Sequence, residues 1–232
     1  MRIFDIKKDE KYQNETDFVQ ASRRADVIVI SSPIETIAKI ANDILSSDTK
    51  ALIFDIASIK SPFLEIFQKM AECGVNICSV HPMFGSGANG IIDRNVILCD
   101  CGNLSAVAEA EKLFEGANIT RMDVAEHDKL ISYVLGLSHA VNIVFNAALM
   151  KSGIPFDVLS SVSSTTFKKQ SELSIDVAHD NVDLYYTIQK KNPHNVHSIA
   201  HLDHSISELI EFDREAFLHH ILESRKYFSQ NR

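Results

Sequence analysis

Residues 26–34 read DVIVISSPI, a short apolar run that ends in two serines and a proline. A nearly continuous apolar run rich in β-branched residues is typical of a strand buried on both faces of a parallel sheet. Comparable runs occur at 2–4, 51–56 (ALIFDI), 76–80 (NICSV), 95–99 (NVILC) and 119–123. Helical spacing of apolar residues separates several of these runs, at 36–45, 62–71 and 105–115. The alternation predicts an α/β domain whose parallel sheet is covered by helices.

The second half of the chain has a different pattern. From residue 126 onward, apolar residues at three- to four-residue spacing predict helices only. A long helix is expected to end at Gly153, and others are expected over 157–169, 182–190, 196–212 and 213–228. The change of pattern predicts a domain boundary near residue 124. Residues 1–124 are then the α/β domain, and residues 125–232 are an all-helical domain.

Composition narrows the class of protein. The chain has 232 residues, of which 45% are hydrophobic and 23% are charged, and its formal net charge is −8. That balance indicates a globular protein and argues against a nucleic acid or an anionic membrane as partner. No run of uncharged apolar residues is long enough to span a membrane, and the N-terminal residues lack a secretory signal. Four cysteines without a CxxC pair are typical of reduced thiols in a cytoplasmic protein.

Polar motifs follow the ends of several predicted strands. Ligands of such sheets bind at the carboxyl ends of the strands, so these motifs are expected to converge there. In order, they are SSPI (31–34), DIASIK (55–60), HPMFG (81–85) and EHD (126–128), the last leading into GLSH (136–139). This ordered set resembles the prephenate/arogenate dehydrogenase family of tyrosine biosynthesis. The resemblance extends over nearly the whole chain, and Asp-x-x-Ser-x-Lys and His-Pro-Met-Phe-Gly are its most specific parts.

The resemblance implies an activity and a set of roles. The activity is the NAD-dependent oxidative decarboxylation of prephenate to 4-hydroxyphenylpyruvate, or of arogenate to tyrosine, by a cytoplasmic homodimer with a Rossmann-like domain and a helical dimerisation domain. His81 is then the base on the ring 4-hydroxyl, with Ser58 as its partner, and His139 contacts the substrate. A neutral histidine suits this task because its pKa lies near 7. The cofactor-binding residues are expected to be Ser31, Ser32, Pro33, Ser58 and Lys60.

One expected cofactor element is absent from the sequence. Residues 85–90 match GxGxxG, but a strand rather than a helix is predicted after them, so a flexible active-site loop is the better interpretation. The predicted strand over 2–4 ends at Asp5, where an acidic side chain holds the ribose hydroxyls and favours NAD over NADP. A strand, glycine loop and helix should precede it, so roughly 30 residues are expected to be missing.

The substrate end also departs from the family pattern. Asp176 stands where the family usually has an arginine that holds a substrate carboxylate, and Lys168 and Lys169 are candidates to replace it. Three alternatives therefore stay open. They are a non-catalytic dimeric protein on a decayed dehydrogenase scaffold, a truncated sequence of an ordinary enzyme, and an enzyme for an amino-substituted relative of prephenate.

Two histidine-containing segments are interpreted as structural. Glu126, His127 and Asp128 are typical of a helix start, where acidic residues interact favourably with the helix dipole. A second group, at positions 194, 197, 201 and 204, shares one helix face. Histidines at this spacing can bind zinc or nickel, but with no cysteine nearby a solvated polar face is expected, and no metal site is predicted.

Overall fold

The computed structural model describes residues 2–5, 7, 10–85, 87–211 and 213–229. Strands and helices alternate up to residue 123, and every element described after that is helical. The strands are β1 Arg2–Ile3, β2 Gln13–Asn14, β3 Val27–Ile30, β4 Leu52–Asp55, β5 Ser79–Pro82, β6 Asn95–Asp100 and β7 Asn118–Asp123. The first helices are α1 Phe18–Arg23, α2 Ile34–Leu45, α3 Leu64–Glu72 and α4 Leu104–Leu113, with a 3₁₀ turn, Ser61–Phe63, before α3. The pattern is as predicted, except that β2 and α1 were not foreseen.

The strand pairs lie in parallel register with one exception. β1 pairs with β2, β3 with β4, and β6 with β7, all in parallel, and an isolated parallel bridge joins Ile53 to Ile77. β5 and β6 are antiparallel. A parallel neighbour requires a crossover, usually a helix, and the described residues between β5 and β6 contain no helix. The prediction of a wholly parallel sheet is therefore wrong at this pair.

Apolar residues on both sheet faces form the core. Buried side chains of β4, β5, β6 and α4, with Cys78 just before β5, make one cluster: Leu52, Phe54, Cys78, Val80, Val96, Leu98, Ala106, Val107 and Ala110. On α2, the buried positions are Ile34, Ile37, Ala41 and Ile44, the spacing of one helix face. This burial explains why β4 and β6 are apolar without alternation. The expectation of a strand buried on both faces is wrong for β3, where Val29 is 47% exposed.

A buried ion pair joins the carboxyl ends of β4 and β5. Lys60 Nζ lies 2.6 Å from Asp55 Oδ2 and donates to the carbonyls of Ala57 and Val80, each at 2.8 Å. The Ser79 hydroxyl donates to the second oxygen of Asp55. The side chains of Lys60 and Asp55 are only 1% and 0% exposed. A charge buried this deeply is tolerated because it has both a counter-ion and a full set of hydrogen bonds.

The later helices are α5 Val124–Ile131, α6 Ser138–Lys151, α7 Phe156–Ser161, α8 Thr165–His179, α9 Val182–Lys191, α10 Asn195–Glu211 and α11 Arg214–Ser229, with a π-helical segment, Ser132–Leu137, between α5 and α6. Side chains cap the starts of several of these helices, among them α5, α8 and α9. The predicted single helix over 157–169 is wrong. The Ser164 hydroxyl accepts from the N–H of Phe167 and starts a new helix there. Phe212, the expected end of one helix, lies outside the described residues.

The described residues form two compact units, and each unit is built from two separate segments of the sequence. The first comprises the residues up to Ser132 together with Asn181–Pro193, and the second comprises Tyr133–Asp180 and the residues from His194 onward. In the first unit, the Asn192 side chain donates to the Asp128 carbonyl at 2.8 Å. In the second, Asn142 Oδ1 accepts from Gln170 and from Ser174, both at 2.8 Å, which ties α6 to α8. The domain boundary near residue 124 stays a prediction.

α5, the π-helical segment and α6 form one continuous helix, Val124–Lys151. Its 28 residues have the length and apolar composition of a membrane span, and only 22% of its most apolar window is buried within the chain. The core helix of a soluble protein can meet the same criterion, so composition alone does not assign this helix to a membrane. The expectation that no uncharged apolar run is long enough to span a membrane is therefore wrong for this helix. The absence of a membrane partner stays a prediction.

We expect Lys60→Met to destabilise the first unit because it leaves the Asp55 carboxylate buried without a counter-ion. Removing one partner of a buried ion pair costs about 3–5 kcal/mol. The double variant Asp55→Asn/Lys60→Met removes both charges and should lose clearly less. Urea unfolding of the three proteins measures this, and equal unfolding midpoints for wild type and Lys60→Met would contradict the interpretation.

Candidate active site

His81 lies at the carboxyl edge of the sheet, on β5. The bridge between Ile53 and Ile77 sets a register in which Ser79 lies beside Asp55, as their hydrogen bond requires, and His81 lies one step further along. His81 pairs across the sheet with Ile97 of β6 and is 3% exposed. An imidazole placed there is largely screened from water.

A hydrogen-bonded chain of three side chains starts at His81. Its Nδ1 lies 3.0 Å from Nε2 of His127, and Nδ1 of His127 lies 2.7 Å from Oδ1 of Asp128. His127 and Asp128 are in the first turns of α5 and are 0% and 2% exposed. The interpretation of these two residues as an ordinary helix start was therefore incomplete, because their side chains turn inward to His81.

Asp128 is held by donors from the loop after β4. Its oxygens accept the backbone N–H of Lys60 at 2.8 Å, the N–H of Ser61 at 2.7 Å and the Ser61 hydroxyl at 2.5 Å. Burial by itself would raise the pKa of Asp128. The hydrogen bonds from His127 and Ser61 outweigh it and hold that pKa below its usual range. Asp128 is therefore a carboxylate at neutral pH.

Both histidines are held neutral. Burial, with the nearby Lys60 ammonium and His127 adding to it, lowers the pKa of His81 well below 6.5. Burial likewise lowers the pKa of His127, against the opposing effect of its hydrogen bond to Asp128. A neutral imidazole has one nitrogen with a lone pair, which a proton acceptor requires.

Lys60 and Ser58 lie near the hydrogen-bonded side chains of His81, His127 and Asp128. Each of the three hydrogen bonds from Lys60 Nζ goes to an acceptor within the protein, and Val80, one of these acceptors, directly precedes His81. Ser58 is half-buried and follows Ala57, another of the three. Lys60 therefore fixes the backbone next to both predicted catalytic residues. The predicted roles of Ser58 as partner of His81 and of Lys60 at the cofactor stay predictions.

The other predicted cofactor residues lie at strand ends of the first unit. Ser31, Ser32 and Pro33 connect β3 to α2, and Ser31 and Pro33 are exposed. No side chain caps the start of α2, where the N–H of Thr36 donates to the Pro33 carbonyl at 2.8 Å. A helix N-terminus placed there favours an anion. Asp5 is exposed two residues after β1, and its carboxylate accepts from the N–H of Lys7. Their cofactor roles stay predictions.

The loop at 85–90 does not have the surroundings of a dinucleotide-binding turn. Apart from Ser86, which lies outside the described residues, the chain from Gly85 to Arg94 contains no helix, and β6 follows. A diphosphate-binding turn needs a helix N-terminus directly after the glycines. This geometry agrees with the rejection of the GxGxxG match.

The predicted substrate residues lie in the second unit. His139 is half-buried at the start of α6, where burial lowers its pKa against the opposing charge of Asp180. Lys168, Lys169 and Asp176 are all exposed on α8. The substrate roles of His139 and the two lysines stay predictions. No cluster of three or more His, Cys, Asp or Glu side chains that could hold a metal occurs in the described part of the chain, and His201 instead lies 3.0 Å from the Tyr133 hydroxyl.

The sequence reasoning missed His127 and Asp128 as site residues. The signal available was an adjacent His-Asp pair in a helix that also carries apolar core positions. A polar pair of this kind at a helix start is usually solvated, so only its buried position identifies it.

We expect the free energy of unfolding to fall as the pH is lowered from 7 to 5. The unfolded chain protonates its histidines near pH 6.5, whereas folded His81 has a lower pKa, so the unfolded state binds more protons in this interval. His81→Asn should flatten the slope by up to about 1.4 kcal/mol per pH unit. Urea unfolding at several pH values measures it, with the exposed His219→Asn as control. A slope unchanged by His81→Asn would contradict a neutral buried His81.

Comparisons with known proteins agree with this architecture. The family model of the prephenate dehydrogenase nucleotide-binding domain matches residues 6–120, and that of the prephenate dehydrogenase dimerization domain matches residues 123–223. A probable arogenate/prephenate dehydrogenase of Methanocaldococcus jannaschii is 24% identical over 220 residues, covering 90% of this chain and 49% of that protein. T-protein of Enterobacter agglomerans is 22% identical over 200 residues, covering 84% and 53%. The chain spans about half the length of these curated relatives.

Solved structures show the same fold. The prephenate dehydrogenase of A. aeolicus, in complex with hydroxyphenyl propionate and NAD⁺, has a TM-score of 0.73 at 18% identity, over 94% of this chain and 82% of that chain. The arogenate dehydrogenase of Synechocystis has a TM-score of 0.70 at 18% identity, with the same coverage. The predicted fold class, a Rossmann-like domain followed by a helical dimerisation domain, is confirmed. Since the two family models together cover nearly all of residues 6–223, the chain belongs to the prephenate dehydrogenase family.

Proposed function

We propose that this chain carries out the NAD-dependent oxidative decarboxylation of prephenate or arogenate. The observation that supports it most directly is the buried chain His81–His127–Asp128, which leaves a neutral imidazole at the carboxyl edge of a nucleotide-binding sheet. Family membership supplies the reaction class, and this geometry supplies the base that the reaction needs.

His81 accepts the proton of the substrate's ring hydroxyl at Nε2. Nδ1 is already engaged by His127, so Nε2 is the nitrogen left for the substrate. NAD⁺ bound at the same edge supplies the hydride acceptor. The hydroxyl carbon would lose its hydride to the bound cofactor and become a carbonyl opposite the ring carboxylate. The carboxylate would then leave as carbon dioxide, its bonding electrons would make the ring aromatic, and the former carbonyl oxygen would take back the proton held by His81. The gain of aromaticity makes the reaction favourable.

Parts of the first unit fit the cofactor. α2 starts after Ser31–Pro33 without a side-chain cap, and a helix N-terminus favours an anion. Ser58 follows β4 at the same edge because β3 and β4 are parallel and in register. Asp5 presents a carboxylate after β1, suited to ribose hydroxyls and to NAD rather than NADP. A glycine-rich turn between a strand and a helix, which would hold the diphosphate, is not among the described residues.

The choice of substrate depends on charges in the second unit. His139, Lys168 and Lys169 are our candidates to bind a substrate carboxylate. Asp176 on the same helix as the lysines favours a substrate with a cationic amino group, as arogenate has and prephenate lacks. Assays with both substrates separate the two.

We infer that the protein works in the cytoplasm. All four cysteines are free, and burial is the main effect that raises the thiol pKa of Cys78 and Cys99 to about 12. Thiols of this kind are inert and need no oxidising compartment.

His81→Asn is expected to lower turnover of the active substrate about 10²–10⁴-fold, which is the contribution of a positioned general base. The asparagine amide can still donate to His127, so the fold should persist. Titration calorimetry of NAD⁺ into the 232-residue chain and absorbance at the NADH band measure binding and turnover. The exposed His219→Asn is the matched control.

Two outcomes would contradict this proposal. The first is undiminished turnover in a folded His81→Asn variant, which would exclude His81 as the base. The second is a folded wild-type chain that neither binds NAD⁺ nor turns over either substrate. That result would leave two alternatives, a truncated form of the enzyme and a non-catalytic protein on a dehydrogenase scaffold.

We further propose that the second unit forms a homodimer. On α11, Phe217, Leu218, Ile221 and Leu222 repeat at helical spacing, and each is 36–50% exposed. Exposed apolar stripes of this size mark contact surfaces, and the dimerization-domain match includes these residues.

The double variant Leu218→Glu/Ile221→Glu should shift the protein to monomers, because it places two charges in the proposed apolar contact. We expect the dimer dissociation constant to rise at least about 100-fold, since each carboxylate loses its hydration on association. Analytical ultracentrifugation measures this. His219→Glu adds a charge outside the apolar stripe of α11 and should leave the dimer intact. A wild-type chain that is monomeric at micromolar concentration would refute the dimer.

A further inference from the structure

Which atoms donate and which accept in the hydrogen-bonded series His81–His127–Asp128 can be assigned by starting from Asp128. Both oxygens of Asp128 face a backbone N–H, one from Lys60 and one from Ser61, and a backbone N–H can only donate. An acid proton on either oxygen would compete with one of these donors. Asp128 is therefore an acceptor toward each of its neighbours, including His127.

The role of His127 follows from that of Asp128. Nδ1 of His127 lies 2.7 Å from an oxygen that only accepts, so Nδ1 carries the proton. Because burial keeps this imidazole neutral, its second nitrogen has no hydrogen and must accept. A doubly protonated His127 would reverse the next bond. The burial of the ring and the nearby Lys60 charge both disfavour that form.

The role of His81 follows in turn. Its Nδ1 lies 3.0 Å from the accepting nitrogen of His127, so His81 must donate there. We propose that His127 and Asp128 together lock His81 in the tautomer that carries its proton on Nδ1, so that Nε2 always presents a lone pair. In the other tautomer, Nε2 would carry a hydrogen and could not accept the substrate proton. His127 and Asp128 are positioning residues in this scheme, since neither needs to touch the substrate.

The consequence for turnover rests on the proposed function, but the tautomer is a property of the protein alone. It is therefore testable in the absence of cofactor and substrate. Nitrogen-15 NMR of histidine-labelled protein distinguishes a protonated from an unprotonated ring nitrogen, and the His81 signals are those missing from His81→Asn. In the wild type at pH 7, we expect His81 Nδ1 to be protonated and Nε2 to be unprotonated.

Two substitutions at His127 distinguish an effect on the His81 tautomer from an effect of side-chain packing. His127→Phe keeps a planar ring but removes the acceptor, so His81 should populate both tautomers. His127→Gln returns a carbonyl oxygen that can accept from His81 Nδ1, so the Nδ1-protonated form should be largely restored. Thermal unfolding of both variants checks that they are folded.

Turnover provides a second readout. His127→Phe should lower kcat by about 10- to 100-fold with KM nearly unchanged, and His127→Gln should recover most of the loss, since only the protonation pattern of the base has changed. A defect in packing alone would not be rescued by glutamine, which has a different shape from the ring.

The outcomes are distinct. Protonated Nε2 on His81 in the wild type would overturn the lock without any variant being needed. Unchanged His81 tautomers in a folded His127→Phe variant would also overturn it. If the tautomer shifts as expected but the wild type turns over neither substrate, the lock stands and the proposed function fails.

Discussion

The buried ion pair between Lys60 and Asp55 lies at the carboxyl edge of the sheet. It constrains the positions of the neighbouring strand ends and loop. Neither charge is tolerable there unless each donor and acceptor is matched, and Lys60 satisfies this by binding Asp55, Ala57 and Val80 at once. These partners come from the end of β4, the loop after it and β5. The charge requirement therefore fixes the relative positions of three segments, and the residue next to Val80 is His81. The backbone N–H of the same lysine also binds Asp128.

This arrangement lets one buried cation serve stability and chemistry together. Its ammonium holds the strand that carries His81, and its positive charge disfavours a second positive charge on the nearby imidazole. The same burial that protects the ion pair from water also keeps His81 and His127 neutral. Apolar packing from β4, β5, β6 and α4 supplies the low-polarity surroundings. Core and site are thus parts of a single packing arrangement.

Much of the fold was predictable from the sequence because it depends on local patterns. The apolar runs at 26–30 and 51–56 contain β3 and β4, and the helical spacing over 36–45 predicted most of α2. The antiparallel direction of β5 against β6 was not predictable, since an apolar run does not reveal strand direction. The helix break at Ser164 was missed because apolar periodicity alone does not register a capping hydroxyl.

Of the three hydrogen-bonded residues of the candidate site, only His81 was predicted from the sequence. His81 stands in a specific motif, whereas His127 and Asp128 resemble any acidic helix start. Their role depends on contacts with residues 46 and 67–68 positions away in the chain, to His81, Ser61 and Lys60. No property of a helix start determines such contacts, which arise when the helix packs beside the sheet edge.

Because each unit is built from two separate segments of the sequence, neither unit can be cut out or exchanged as a single stretch. Asn181–Pro193 belongs to the sheet-containing unit although it lies between segments of the helical one, and its Asn192 binds the Asp128 carbonyl. A cut at residue 132 would therefore leave the sheet unit without a piece that contacts α5. Gene fusion or exchange of either unit as one uninterrupted stretch would disrupt the other. Recombination should preserve residues 133–193 together with what precedes them, so the two units are expected to evolve as one.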